Sequence, residues 1–216
     1  MTYHYLNRKN LFKPIYWGLV CLIAVFSASF TQAKTILVHG DSLSAGYGIT
    51  PEESWVTLLA EHYGDRHQVI NASISGETSR GGLDRLSDLL KTHQPDVVVL
   101  ELGANDGLRG YPIPQIAKNL QEMIDLAKAN NAQVIILGIR LPPNLGKRYT
   151  TPFFENYARL AKSNALAYLP FLLDNVAQYS ELMQSDGLHP TAEAQPLILQ
   201  NVLPVLDQAL KRAAAS

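Results

Sequence analysis

The chain has 216 residues, a formal net charge of −1, 47% hydrophobic residues and one cysteine. That length suits a single domain with a full core, and the near-neutral charge excludes the broad basic surface that nucleic-acid binding uses. With Cys21 as the only thiol, no intrachain disulfide can form.

The N-terminal segment is unlike the rest. Arg8, Lys9 and Lys13 precede the apolar run Ile15 to Phe26, and small and polar residues follow up to Ala33. A basic start, an apolar stretch of about a dozen residues and a small-residue exit describe a secretory signal peptide. Thr31 and Ala33 fit the −3 and −1 sites, so cleavage is expected after Ala33. The alternative is an uncleaved anchor, but the run falls short of the ~20 residues a span needs. Val20 stands where a lipoprotein signal would want a small residue before Cys21. The expected organisation is a signal peptide over 1–33 and one domain over 34–216, exported, without a stable membrane anchor and without cysteine.

Thr35-Ile36-Leu37-Val38 reads as a buried strand. It leads into His39-Gly40-Asp41-Ser42-Leu43 and then Ala45-Gly46-Tyr47-Gly48. A small polar residue among glycines at a strand end is how an α/β sheet exposes a reactive group, so Ser42 is a candidate nucleophile. Thr50 as N-cap, Pro51 in the first turn and Glu53 as capping-box partner open a helix. Its apolar face is Trp55, Val56, Leu58 and Leu59. Gln68 to Asn71 is a second strand, ending in Ala72-Ser73-Ile74-Ser75-Gly76, and Leu83, Leu86, Leu89 and Leu90 mark the next helix. Val97-Val98-Val99-Leu100 is the continuous apolar run of a strand covered on both faces. It exits into Gly103-Ala104-Asn105-Asp106-Gly107.

Pro114 opens a long helix to about Asn130, and Val134 to Leu137 is a fourth strand. Prolines stiffen the loop Ile139 to Asn144 that follows. Phe153 to Asn164 reads as a helix, Ala165 to Leu169 as a short fifth strand, and Asp186-Gly187-Leu188-His189-Pro190 as a turn. A last helix starts near Ala192, with Pro204 expected to kink it. Alternating strands and helices imply one parallel sheet with helices on both faces, and ligands in such sheets bind beyond the carboxyl ends of the strands. Ser42, Gly76, Asn105 and the loop after Leu137 all lie just past strand ends.

Asp186 and His189 are close enough in sequence for the carboxylate to reach Nδ1, fix the tautomer and leave Nε2 to take a serine proton. The plainer alternative is an ordinary Asp-Gly turn beside a surface histidine. Gly76 offers an unobstructed backbone N–H, Asn105 a side-chain amide and Ser42 its own N–H, three donors for an oxyanion. Taken singly, Gly76 also reads as a turn glycine and Asn105 as an Asx-turn residue.

Together, Gly40-Asp41-Ser42-Leu43, Gly76, Gly103-x-Asn105-Asp106 and Asp186-x-x-His189 resemble the four motif blocks of the SGNH (GDSL) hydrolases. Asn71 to Gly76, Glu101 to Gly110 and Ile139-Arg140-Leu141-Pro142 extend the similarity to the family's exported thioesterases and lysophospholipases of Gram-negative bacteria. The resemblance implies a three-layer α/β/α sandwich around a parallel, flavodoxin-like five-stranded sheet. It implies Ser42 as nucleophile, His189 as base, Asp186 as orienter, and Ser42, Gly76 and Asn105 as the oxyanion hole. With the signal peptide cleaved after Ala33, a periplasmic protein is expected, and a monomer. His39 departs from the pattern, where an apolar or small residue is expected, and reads as a strand histidine with its polar atoms satisfied. His62, His67 and His93 read as solvated, near helix ends. No histidine pair has metal-ligand spacing, so neither metal nor cofactor is expected.

The leading function is hydrolysis of acyl esters and thioesters through an acyl-enzyme. Leu108, Tyr111 and Ile113 after the third strand, and Leu141 and Pro142 after the fourth, are expected to line an acyl groove. A carbohydrate O-acetylesterase of the same fold is the second enzyme reading, and a non-catalytic flavodoxin-like binding module is the alternative of another class.

Overall fold

The structure is a computed structural model that describes residues 1, 2 and 32–215. Nearly all of the expected signal peptide lies outside the described residues. All described secondary structure belongs to one unit, Thr31–Ser216. In chain order it runs β1 (Lys34–Gly40), α1 (Ser42–Ala45), α2 (Trp55–Tyr63), β2 (His67–Asn71), α3 (Ser79–His93), β3 (Val97–Glu101), α4 (Ala104–Leu108), α5 (Ile113–Ala129), β4 (Gln133–Leu137), α6 (Lys147–Asn164), β5 (Ala167–Leu169) and α7 (Gln195–Ala215).

The five strands are parallel, in the order β2-β1-β3-β4-β5. Successive side chains of a strand point to opposite faces, and the core divides accordingly. Ile36, Val38, Val97, Val99, Ile135 and Leu137 pack against α2 and α7. Leu37, Val98, Leu100, Val134 and Ile136 pack against α3, α5 and α6. Every residue of β3 is buried, which explains its unbroken apolar run. The chain leaves β1 for β2 on one side and returns to β3 on the other. The order therefore reverses between β1 and β3, which places the ligand crevice at their carboxyl ends.

Several local expectations are revised. Thr50 and Glu53 do pair, with Glu53 Oε2 accepting from the Thr50 amide at 3.1 Å, but they close a separate 3-10 turn, Pro51–Glu53. Ser54 caps α2, its hydroxyl accepting from the Thr57 amide at 3.2 Å. Helix α6 begins at Lys147, not Phe153, and carries Pro152 inside it. That proline forfeits only the bond to the carbonyl of Arg148, an exposed residue. Helix α7 begins at Gln195, after a 3-10 turn over Ala192–Ala194, and carries Pro204 inside it. His67 opens β2 and is half-buried, its ring edge-on to Tyr63 and its Nδ1 accepting from the Lys34 amide at 3.1 Å. His39 is fully buried and only half satisfied: Nε2 donates to the Gly82 carbonyl at 2.9 Å, while Nδ1 has no partner. Burial holds it below the usual histidine range, hence neutral.

Candidate active site

Ser42 is the first residue of the one-turn helix α1, directly beyond β1. Asp41 caps it, Oδ1 accepting from the Leu43 amide at 3.1 Å. Gly46, at φ +74°, turns the chain out again, a left-handed conformation that suits glycine. The turn is anchored to the core behind it, since Trp55 Nε1 donates to the Leu43 carbonyl at 3.2 Å and Gln195 accepts from the Trp55 amide at 3.0 Å. One turn is too short to show helical periodicity, so α1 was invisible in the sequence.

His189 lies 147 residues downstream of Ser42, with Asp186 3 residues before it, on a loop braced as a small hairpin. The Gln184 amide donates to the His189 carbonyl at 2.7 Å and the Thr191 amide to Leu182 at 2.8 Å. Asp186 Oδ1 accepts from the amides of Leu188 (2.9 Å) and His189 (3.1 Å), and Oδ2 lies 2.6 Å from His189 Nδ1. His189 Nε2 lies 2.8 Å from Ser42 Oγ. Burial works against the Asp186 charge, but the bonds from the His189 ring and the two amides outweigh it and bring its pKa down to about 2. An ionised carboxylate only accepts, so Nδ1 carries the proton and Nε2 is left to accept from the Ser42 hydroxyl. The serine, the histidine and the aspartate thus form one continuous hydrogen-bonded chain.

Two further residues hold the histidine, and neither was singled out in the sequence. The Tyr47 ring lies 4.5 Å from the His189 ring, centroid to centroid. Gln184 Nε2 donates to both the Tyr47 carbonyl (2.8 Å) and the Pro190 carbonyl (3.0 Å), tying the loop after Ser42 to the loop that carries His189. Gly48, at φ +77°, is required here twice over, because a Cβ would overlap the Gln184 amide.

Asn105 sits on α4, just past β3, and lines the same cavity as Ser42 and His189. Its Nδ2 donates to the Glu77 carbonyl at 3.0 Å and to Asp41 Oδ2 at 3.2 Å. Asp41 is fully buried; desolvation raises its pKa to about 6 against the lowering by the Leu43 amide and Asn105. Gly76 lies in an exposed turn at φ +81° and is not among the residues lining the cavity. The amides of Ser42 and Gly76 make no hydrogen bond within the described residues, so both remain available as donors.

The cavity beside Ser42 measures about 240 Å³. Leu108, Leu141 and Pro142 line it, together with Leu43, Ile139, Phe171, Leu172 and Leu173. Tyr111 and Ile113 do not. Ile113 opens α5 and packs into the core on that side of the sheet, and Tyr111 is exposed, its carbonyl accepting from the Tyr149 hydroxyl. Arg140 lines the cavity too, its guanidinium held between Phe154 (4.5 Å) and Phe171 (4.9 Å). Among the described residues no group of three or more metal-ligating side chains is present.

Comparison with known proteins agrees with this geometry. Residues 38–196 match the model of the GDSL-like lipase/acylhydrolase family. An arylesterase of Vibrio mimicus is 47% identical over 85% of this chain and 94% of its own length. The thioesterase 1/protease 1/lysophospholipase L1 of Escherichia coli K12 is 42% identical over 89% of this chain and 92% of its own. The crystal structure of TesA superposes with a TM-score of 0.79 at 46% identity, covering 82% of this chain and 99% of that one. With a match through nearly the whole folded unit, and relatives that align almost end to end, the chain belongs to the GDSL-like lipase/acylhydrolase family.

Proposed function

We propose that this protein is an exported serine esterase and thioesterase that hydrolyses acyl esters, acyl thioesters and lysophospholipids through an acyl-enzyme on Ser42. The observation that carries the reading is the hydrogen-bonded chain Ser42–His189–Asp186 opening onto an apolar cavity. Ser42 Oγ attacks the acyl carbonyl as its proton passes to His189 Nε2. Asp186 stabilises the imidazolium and stays ionised itself. The oxyanion is met by the amides of Ser42 and Gly76 and by Asn105, which exchanges one of its present acceptors for it. His189 then protonates the departing alkoxide or thiolate. A water, deprotonated by His189, attacks the acyl-Ser42 carbonyl; the bond to Oγ then breaks, His189 returns the proton to Ser42 Oγ, and the acid is released.

The family's named activities, arylesterase in one relative and thioesterase and lysophospholipase in another, support the substrate classes. A carbohydrate O-acetylesterase needs room for only two carbons and a polar platform for the sugar. Leu108, Ile139, Leu141 and Leu173 around the cavity favour longer acyl chains. Cleavage after Ala33 would make Lys34 the first residue, already fixed by its backbone nitrogen to His67 and by Nζ to Asp96 at 2.9 Å.

A fluorophosphonate probe tests the reading directly. It should label Ser42 in the wild type and fail with Ser42→Ala. An unlabelled wild type, or a Ser42→Ala variant with near-normal turnover on p-nitrophenyl esters, refutes it. N-terminal sequencing of the secreted protein should begin at Lys34; a chain beginning at Met1 refutes the export assignment.

A further inference from the structure

Behind the nucleophile turn lies a buried acid that the reaction steps above do not use. Glu101 ends β3 and pairs in register with Gly40 of β1. Its carboxyl reaches sideways into the space that Gly40 leaves free. A Cβ on Gly40 would stand 2.7 Å from Glu101 Oε2 and 2.8 Å from Ser44 Oγ. Oε2 accepts from the Ser44 hydroxyl at 2.8 Å and from the Asp41 amide at 3.3 Å. Those two donors bracket Ser42 and Leu43 in the chain, so one oxygen of Glu101 ties down both sides of the nucleophile turn.

We propose that Glu101 is a positioning residue for Ser42 and does this as an uncharged acid, bracing the turn without placing another negative charge behind the oxyanion. The inference rests on the reading of Ser42 as nucleophile.

The surroundings argue for the neutral form. Glu101 is fully buried, and no lysine, arginine or histidine pairs with it among the described residues. Asp41 faces it from the β1–α1 junction and Tyr157 from α6, while Asp106 of α4 and His189 of the last turn act on Asp41. His189 alone of these can become cationic, and it faces Asp186. Burial first, and then the Asp41 charge, push Glu101 well above the usual carboxylate range. Oε1 is buried with no hydrogen-bond partner. For a carboxylate, an unsatisfied oxygen in a buried site without a counter-ion is severely unfavourable, whereas a neutral acid leaves only a hydroxyl unpaired. In the neutral form the proton sits on Oε1, and Oε2 is the carbonyl oxygen that accepts both bonds. Two neighbouring charged carboxylates would also repel each other and any oxyanion forming at Ser42. Asp41, which has Asn105 and the Leu43 amide as donors, is the better place for the single charge.

Infrared difference spectroscopy on the folded enzyme tests this without relying on activity. At neutral pH the wild type should show the carbonyl stretch of a protonated carboxyl group, and Glu101→Gln should lose it. In kinetics, Glu101→Ala should lower kcat by ~10² with little change in KM, the scale of an ångström-level misplacement. Glu101→Gln keeps an uncharged acceptor at the same reach and should restore most of that loss. Absence of the band from the wild type, its persistence in Glu101→Gln, or a glutamine variant as slow as the alanine one overturns the inference. Should Glu101→Ala not fold, the wild-type band and the glutamine variant decide. Fluorophosphonate labelling separates the two levels: labelled Ser42 without the band refutes the role of Glu101 alone, and unlabelled Ser42 refutes the reading beneath it.

Discussion

Leu108 and Leu141 both border the cavity, but they have different amounts of surface to give to a substrate. Leu108 is 39% exposed and Leu141 only 8%. Burying a whole leucine side chain is worth ~1.5–3 kcal/mol, so the part of Leu108 still exposed can contribute about 0.6–1.2 kcal/mol to a bound acyl chain. That is about threefold to eightfold in kcat/KM. The exposed remainder of Leu141 is worth about 0.1–0.2 kcal/mol on the same scale, within measurement error. Leu141 instead belongs to the core on the α3–α5–α6 face, where truncation of a leucine costs ~2–5 kcal/mol of stability. The cavity of about 240 Å³ holds roughly eight groups if each takes about the ~30 Å³ of a water molecule. At ~0.8 kcal/mol per methylene, kcat/KM of the wild type should rise about fourfold per carbon until the cavity is filled, near eight carbons. The assay is kcat/KM for p-nitrophenyl esters from acetate to dodecanoate, beside thermal melts. Leu108→Ala should lose threefold to eightfold on octanoate, keep its rate on acetate and keep its Tm; Leu141→Ala should lose Tm. An equal loss at every length in Leu108→Ala would refute its contact with the acyl chain. A selective long-chain loss in Leu141→Ala at unchanged Tm would refute the partition made from exposure.

Asp186→Asn should cut kcat by ~10⁴ on p-nitrophenyl esters, because His189 loses the partner that fixes its tautomer; a loss of less than tenfold would be incompatible with the triad. Asn105→Ala should lower kcat by ~10²–10³ with KM nearly unchanged, and a rise in KM at constant kcat would make it a ground-state contact. The Asp186 carboxyl is depressed to about 2, so its contribution to stability is present above about pH 4 and lost as pH falls through about 2. The Tm difference between wild type and Asp186→Asn should therefore hold at pH 5 and close near pH 2; a constant difference would contradict the ionised pair. Gly40→Ala should destabilise and slow the enzyme together, since its Cβ meets Glu101 and Ser44; wild-type Tm and rate would show that the carboxyl can move aside.

What the sequence revealed follows the range of the interactions. Val97 to Leu100 and Val134 to Leu137 were readable as strands because burial on both faces demands apolar residues at every position. Asp186 and His189 were readable because their pairing is local, and Ser42 because it stands at a strand end. The closing of Ser42 on His189 depends on contacts across 147 residues, for which no local pattern exists. Helices α1 and α4 have four and five residues, too few for a period. Tyr47 and Gln184 are ordinary polar and aromatic residues until the fold brings them to His189. Ile113 was misassigned because an apolar residue after a strand looks alike whether it faces a ligand or starts the next helix. The first turns of α6, Lys147 to Pro152, carry no apolar period and a proline, so the helix is legible only from Phe153 onward.

The reversal of strand order between β1 and β3 also divides responsibility for the site between the two halves of the interior. The Ser42 turn is moored to the α2–α7 side through Leu43, Trp55 and Gln195. Helix α4 is moored to the opposite side, where both oxygens of Asp106 accept from Ser79 of α3 and Gly107 is pressed against Leu141 and Phe153. Distant packing changes thus reach the reaction by separate routes. Loosening the α2–α7 layer disturbs where the attacking oxygen stands, and loosening the α3–α5–α6 layer disturbs where Asn105 stands. The two routes meet where Asn105 Nδ2 donates to Asp41 Oδ2 at 3.2 Å, so the alignment of one half of the site on the other is set at that junction.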